Sequence, residues 1–255
     1  MGNRVGFFTL VKREVLRFFV VWTQTVFPPL ISSSLFIFVF GYTIGKNITM
    51  ASGGSSYLQF IIPGLVMMHL IEGSYTNCSS SLFISRWHNH IQEMLLSPLS
   101  YFEMVLGLLL GGMASGMITA AGVFCVSLYF TQFWLHSPLV VLYFFVTVTV
   151  IFSCLGLIVG LWAEGFEKLS IWGTFVLSPL IYFGGVFHSI QMVPAPLRFL
   201  THLDPIFYLV SGLRYGMIGV SDCSLKLAMG LAAVMAVGLF LITERLFRIG
   251  YKLRT

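Results

Sequence analysis

The stretch HSIQMVPAPLRFLTHLDPIFYLVSGLRYGMIGVSDCS, residues 188–224, decides how this chain is threaded. It is apolar only in pieces and is punctuated by Pro, Gly and charge. Nine uncharged residues separate Asp204 from Arg214, far fewer than the ~20 a helix needs to cross a bilayer. The spacing predicts two short helices that enter the outer leaflet and return. The competing reading makes 205–221 a spanning helix with Arg214 inside it.

The rest of the chain belongs in lipid. Of its 255 residues 57% are hydrophobic and 9% are charged, whereas soluble domains carry about 25% charged residues. Mean hydropathy is +0.92. No soluble core hides that much apolar surface. Working outward from 188–224, the apolar runs predict spans at 26–45, 57–84, 101–130, 139–162, 169–187 and 225–244, with Pro179 interrupting the fifth. Pro28 and Pro29 predict a helix start. Gly107, Gly111, Gly112 and Gly116 create two GxxxG spacings and Gly156 and Gly160 a third, which let helix backbones approach closely.

Charge counting separates six spans from seven. With six, Arg4, Lys12, Arg13, Arg17, Arg86, Lys168, Arg245, Arg248, Lys252 and Arg254 fall on one side. Lys46, Arg198, Arg214 and Lys226 fall on the other, a split of ten against four. Seven spans would move the basic tail outside, against the positive-inside bias. Both termini and residues 86–100 are therefore expected in the cytosol, and 188–224 outside.

Residues 5–22 predict an amphipathic helix. Phe8, Val11, Val15, Phe18, Phe19 and Trp22 fall on one side, and Thr9, Lys12, Arg13 and Arg17 on the other. Such a helix lies along a membrane surface or packs on the chain's own cytosolic edge.

Several chemistries are not expected. The nearest approach to a phosphate-binding loop, Gly41 to Asn47, has the wrong spacing and Asn where Mg²⁺ needs a hydroxyl. Cys78, Cys125, Cys154 and Cys223 form no CxxC pair, so neither a disulfide framework nor a metal site follows. His188 and His202 are not paired as metal ligands. No basic patch away from the segment ends suggests nucleic acid. No signal peptide and no myristoylation pattern is read at the start, and Asn47-Ile-Thr49 is a short glycosylation match.

What chemistry the spans do carry centres on His69 and Glu72, three apart in the second span, with Thr76 and Ser79 continuing the arc. Ionisable residues at membrane depth are costly, about 2.5–3.5 kcal/mol at a helix centre on insertion scales. They line a substrate path or form hydrogen-bonded glue between helices. Glu103 is expected at a solvated helix end.

Four stretches in this order resemble the membrane subunit (permease) of type-2 ATP-binding cassette exporters, a group that includes drug and polysaccharide exporters. They are the amphipathic start before Pro28-Pro29, YLQFIIPGLVMM (57–68), EMLLSPLS (93–100) and FGGVFHSIQMVPAPLRFLTHLDPIFYLVSGLRYG (183–216). The resemblance implies one all-α integral membrane permease domain, 1–255, with six transmembrane helices. It implies a cytosolic connecting helix at 1–24, a coupling helix at 86–98 and an extracellular re-entrant pair at 188–224. It also implies two permease subunits, read as a homodimer in a bacterial inner membrane, around one translocation path. A separate ATPase subunit sits under each, so ATP and Mg are bound by that partner and this chain is not itself an enzyme.

On this reading Arg86, Trp87, Ile91, Glu93 and Leu95 contact the ATPase, Trp87, Ile91 and Leu95 from one helical face. Ser97-Pro98 ends the helix. Phe187, Asp204 and Arg214 belong to the extracellular gate and re-entrant region. An ion-coupled secondary transporter, with protons on His69 and Glu72, and a non-transporting scaffold are the alternatives.

Overall fold

The computed structural model describes residues 4–40, 57–131, 135–194 and 198–253. Among them every regular element is helical. Residues 41–45 of the first expected span, the Gly41–Asn47 and Asn47–Thr49 matches, and Pro196 lie outside the described residues.

The chain begins with α1 (Arg4–Val20) and, after Val21 alone, α2 (Trp22–Val39). The expectation that Pro28-Pro29 starts a helix is wrong: both lie inside α2. Their missing N–H groups leave carbonyls one turn earlier without an intrahelical donor. Then come α3 (Tyr57–Trp87), a three-residue turn, α4 (Ile91–Leu96), α5 (Tyr101–Phe130) and α6 (Pro138–Trp162).

The next helical run is continuous from Phe166 to Phe183 but changes pitch. It passes from α7 (Phe166–Ile171) through a π-helical stretch, Trp172–Leu177, into α8 (Ser178–Phe183). Pro179 falls inside this run, just after the π-helical stretch, and does not end it. The proline ring displaces the carbonyl one turn back, and the Ser178 hydroxyl donates to the Gly173 carbonyl at 3.1 Å. Phe187, expected in this span, falls in the loop after it. Two short helices, α9 (Arg198–Leu203) and α10 (Pro205–Ile218), precede α11 (Leu225–Ile249).

By length and composition α2, α5, α6 and α11 can each cross a membrane. The 31 residues of α3 span ~46 Å at 1.5 Å per residue, but its C-terminal half is diluted by Thr76, Asn77, Ser79, Ser80 and Ser81. At 14 residues, α10 reaches ~21 Å, short of the ~30 Å hydrocarbon core. It is broken from α9 at Asp204, whose carboxylate accepts the Ile206 N–H at 2.9 Å, and ends at Gly219 in the left-handed region.

Helix α3 is the centre of the molecule, held between α5 and α6. The glycine spacings explain how it fits. A methyl group at Gly116 of α5 would overlap Ser74, and one at Gly156 of α6 would overlap the Tyr75 carbonyl. The other pair on α5, Gly107 and Gly111, faces α1 and receives Leu10 and Glu14. Helix α1 thus packs through Leu10, Glu14 and Phe18. The expected apolar face is split: Phe8, Phe19 and Trp22 are exposed while Phe18 is buried.

Candidate functional site

The four residues expected along a substrate path lie on one arc of α3, but what covers them changes along it. His69 is buried; its Nε2 is 2.8 Å from the Ser33 hydroxyl of α2. Its Nδ1 lies 3.4 Å from Glu72 Oε2, an ion-pair distance without hydrogen-bond alignment. Glu72 keeps 36% of its side chain exposed, and Thr76 is exposed one turn further along the helix. Ser79 is buried again where α6 crosses at Gly156 and Gly160, and its hydroxyl donates to the Thr76 carbonyl at 3.3 Å. The open part of this arc is therefore Glu72 and Thr76, with Ser80 and Ile84 beyond.

Behind the open face sits a network that the sequence reading did not single out. Glu14 of α1 is 1% exposed. It accepts from the Ser81 hydroxyl at 2.5 Å and pairs with Arg13 at 2.9 Å and Arg17 at 3.3 Å. Arg17 in turn donates to the Asn77 backbone and side-chain oxygens at 2.9 and 2.7 Å. A buried charge needs such partners, and here they join α1 to the C-terminal half of α3. The signal was present in the sequence: Glu14 is four residues from both Leu10 and Phe18, so it belongs to their face.

At the C-terminal end of α3, the expected helix over 86–98 is two pieces. Arg86 and Trp87 finish α3, Asn89 turns the chain at φ 59°, and α4 starts at Ile91. An Asn accepts that left-handed conformation at low cost, and it rotates the second piece. Trp87, Ile91 and Leu95 consequently do not form one docking face. Ile91 and Met94 are buried in a cluster with Leu10, Met104, Phe247 and Leu253, Leu95 is half-buried, and Trp87, Glu93 and Leu96 are exposed.

Arg86 faces inward too. Its Nη1 lies 2.7–3.1 Å from the carbonyls of Gly160, Leu161 and Ala163, the C-terminal end of α6, where the helix dipole favours a cation. Beside it Phe83, Trp87 and Phe166 form an aromatic group, the Phe83–Phe166 centroids 4.7 Å apart. Hydrogen bonds from Lys168 and Lys252 hold the exposed Glu164 carboxyl down at about 2, well below its usual range. Ser100 and Glu103 cap the start of α5 reciprocally.

At the opposite end Arg214 is 1% exposed. It pairs with Asp222 at 2.9 Å, donates to the Gly185 carbonyl at 2.6 Å and lies 3.8 Å over the Phe60 ring. The Ser189 hydroxyl donates to the other Asp222 oxygen at 2.7 Å. Arg214 finds Asp222 across the turn after α10, and Asp204 is the cap of that helix. Phe187 stacks between Phe36 and Tyr182, with Phe40 continuing the column.

Residues 5–218 match the ABC-2 type transporter family. The chain is a member of that family. Over 243 residues it is 39% identical to the inner membrane transport permease YadH of Escherichia coli K12, covering 95% of this chain and 94% of that one. It is 23% identical over 217 residues to nodulation protein J of Neorhizobium galegae, covering 83% of this chain and 82% of the relative. Its several apolar helices and its membership make it a transmembrane subunit of an ABC-2 transporter.

Proposed function

We propose that this ABC-2 subunit is the inner-membrane half of an ATP-driven exporter, two copies of it enclosing one translocation path. An ATPase subunit docks beneath each copy and supplies the ATP and Mg site. The observation that carries this reading is the inner half of α3. A carboxylate left 36% exposed among apolar spans is too costly to face hydrocarbon; a water-lined path between two copies accommodates it. Six crossings follow: α2, α3, α5, α6, the bent run from α7 to α8, and α11. Both termini are cytosolic, and α9 and α10 dip into the outer leaflet and return.

Coupling to the ATPase runs through the end of α3, the turn at 88–90 and α4, with Trp87 and Glu93 presented to the partner. Ile91 and Arg86 anchor that element to the bundle. The test is purification with the ATPase encoded beside this chain, followed by a screen of lipids, glycans and drugs for stimulation of ATP hydrolysis. Failure of every class to stimulate, with the complex intact, would overturn the exporter reading. Topology is read separately by single-cysteine labelling from outside: Ser55 is expected to react and Asn89 not.

Ion-coupled transport draws on the His69–Glu72 approach. Transport that continues without the ATPase would select it.

A further inference from the structure

Away from the open face of α3, an apolar pocket of about 330 Å³ lies between α8 and α9, lined by Leu180, Phe183, Leu200, Leu203 and Asp204. That volume falls at the lower end of the ~300–1,000 Å³ of small-molecule sites. Four of its five lining residues are apolar. The fifth is a carboxylate whose residue is 4% exposed. Its Oδ1 accepts the N–H of Ile206 at 2.9 Å, while its Oδ2 is buried with no hydrogen-bond partner among the described residues.

Helix capping explains one oxygen only. A buried polar atom without a partner is destabilising, more so if charged, so the unpartnered oxygen has to be accounted for. Burial accordingly pushes this carboxyl up to about 6. A hydrocarbon chain filling the pocket would leave the oxygen orphaned. A ligand that joins such a chain to a hydrogen-bond-donating cation satisfies both halves of the site.

We propose that this pocket binds an amphiphile with one aliphatic chain and a primary ammonium head, the chain against Leu180, Phe183, Leu200 and Leu203 and the ammonium on Asp204 Oδ2. The site is separate from the path proposed above and does not depend on it. Aminophospholipids and free alkylamines share this chemistry.

The full-length protein in phosphatidylcholine nanodiscs is titrated with n-decylamine and with n-decanol, and binding is read from the rise in Tm. Decylamine is expected to bind at least about tenfold more tightly, the size of a charge-assisted hydrogen bond. Asp204→Asn keeps an acceptor for the Ile206 N–H, so it is expected to fold and to lose that preference. Leu200→Lys, which carries its own ammonium toward Asp204, is expected to abolish decylamine binding. Replacing part of the lipid with phosphatidylethanolamine identifies the source. A weaker apparent affinity for decylamine assigns the site to the lipid head group, and no change assigns it to the free amine. Equal binding of amine and alcohol, or an Asp204→Asn variant that keeps the preference, overturns the proposal. So does a Leu203→Cys variant that disulfide-links two copies and excludes decylamine, because a second copy then covers the pocket.

Discussion

Both ends of α3 are tied to the rest of the bundle through an arginine, and the two ties are built differently. At the start of α3, Arg214 lies on Phe60, and its charge is closed by Asp222, the two side chains 1% and 9% exposed. At the other end, Arg86 of α3 itself reaches the last carbonyls of α6. Carbonyl dipoles, unlike a buried carboxylate, hold a cation without creating a second charge that must stay with it. The first tie is all-or-none; the second can lengthen by degrees. On the proposed function the Arg214 end is the fixed point, and the Arg86 end follows the ATPase.

The comparison breaks first at the fixed point. Asp222→Ala leaves Arg214 buried and unpaired, which costs about 3–5 kcal/mol. Asp222→Ala is expected to give the largest drop in Tm of any substitution named here. The double change Arg214→Met with Asp222→Leu is expected to recover most of it, because apolar replacement of a buried pair is often neutral. A double variant as unstable as the single one would show that the Gly185 and Phe60 contacts, and not the ion pair, hold this end.

Next comes the brace between α1 and α3. Glu14→Ala removes the acceptor of Ser81 and the partner of Arg17, and is expected to cost about 1–3 kcal/mol. Arg86→Gln is expected to cost less, about 1–2 kcal/mol at most for a cation at a helix C-terminus. If thermal denaturation ranks Arg86→Gln above Asp222→Ala, the roles of the two ends are reversed.

The same contrast marks what could be read before any coordinates. The apolar runs over α5, α6 and α11 are set by length alone, and lipid offers few other solutions for them. Arg214 was conspicuous because the nine uncharged residues between it and Asp204 cannot make a crossing. Its partner was not, because Asp222 reaches it only through the left-handed turn at Gly219. Glu14 was hidden by its neighbours: Lys12-Arg13-Glu14 reads as a solvated run, and only Gly111 on another helix makes room to bury it. On α4, helical spacing put Ile91 beside Trp87; Asn89, one residue in a left-handed conformation, undoes that arithmetic. Periodicity survives inside an element and is lost across a turn.

Trp87→Ala tests the movable end without disturbing the fold. The side chain is 60% exposed, so the change in stability is expected within about ±0.5 kcal/mol. Co-purification of the ATPase is expected to fall, since aromatic anchors dominate such contacts at about 2 kcal/mol or more. Ile91→Ala, in contrast, is expected to lower Tm because Ile91 packs in the bundle. An Ile91→Ala variant that keeps its Tm and loses the ATPase would restore the single docking face that the Asn89 turn removes.

The smallest effect on stability is expected at Glu72, and it carries the most information about function. Glu72→Gln keeps the shape of the side chain and an oxygen near His69, so folding and dimerisation are expected to be unchanged. If the open face of α3 lines the path, the lost charge lowers substrate-stimulated ATP turnover. If the face only packs helices, Glu72→Gln is silent, while Glu72→Leu shifts stability with no selective loss of transport. His69 separates these outcomes further, because its Nε2 is held by Ser33 whatever Glu72 does. His69→Ala is therefore expected to loosen the α2–α3 contact and to lower Tm, even in a background where Glu72→Gln has already removed the charge. Normal stimulated turnover in Glu72→Gln would move the path off this face of α3.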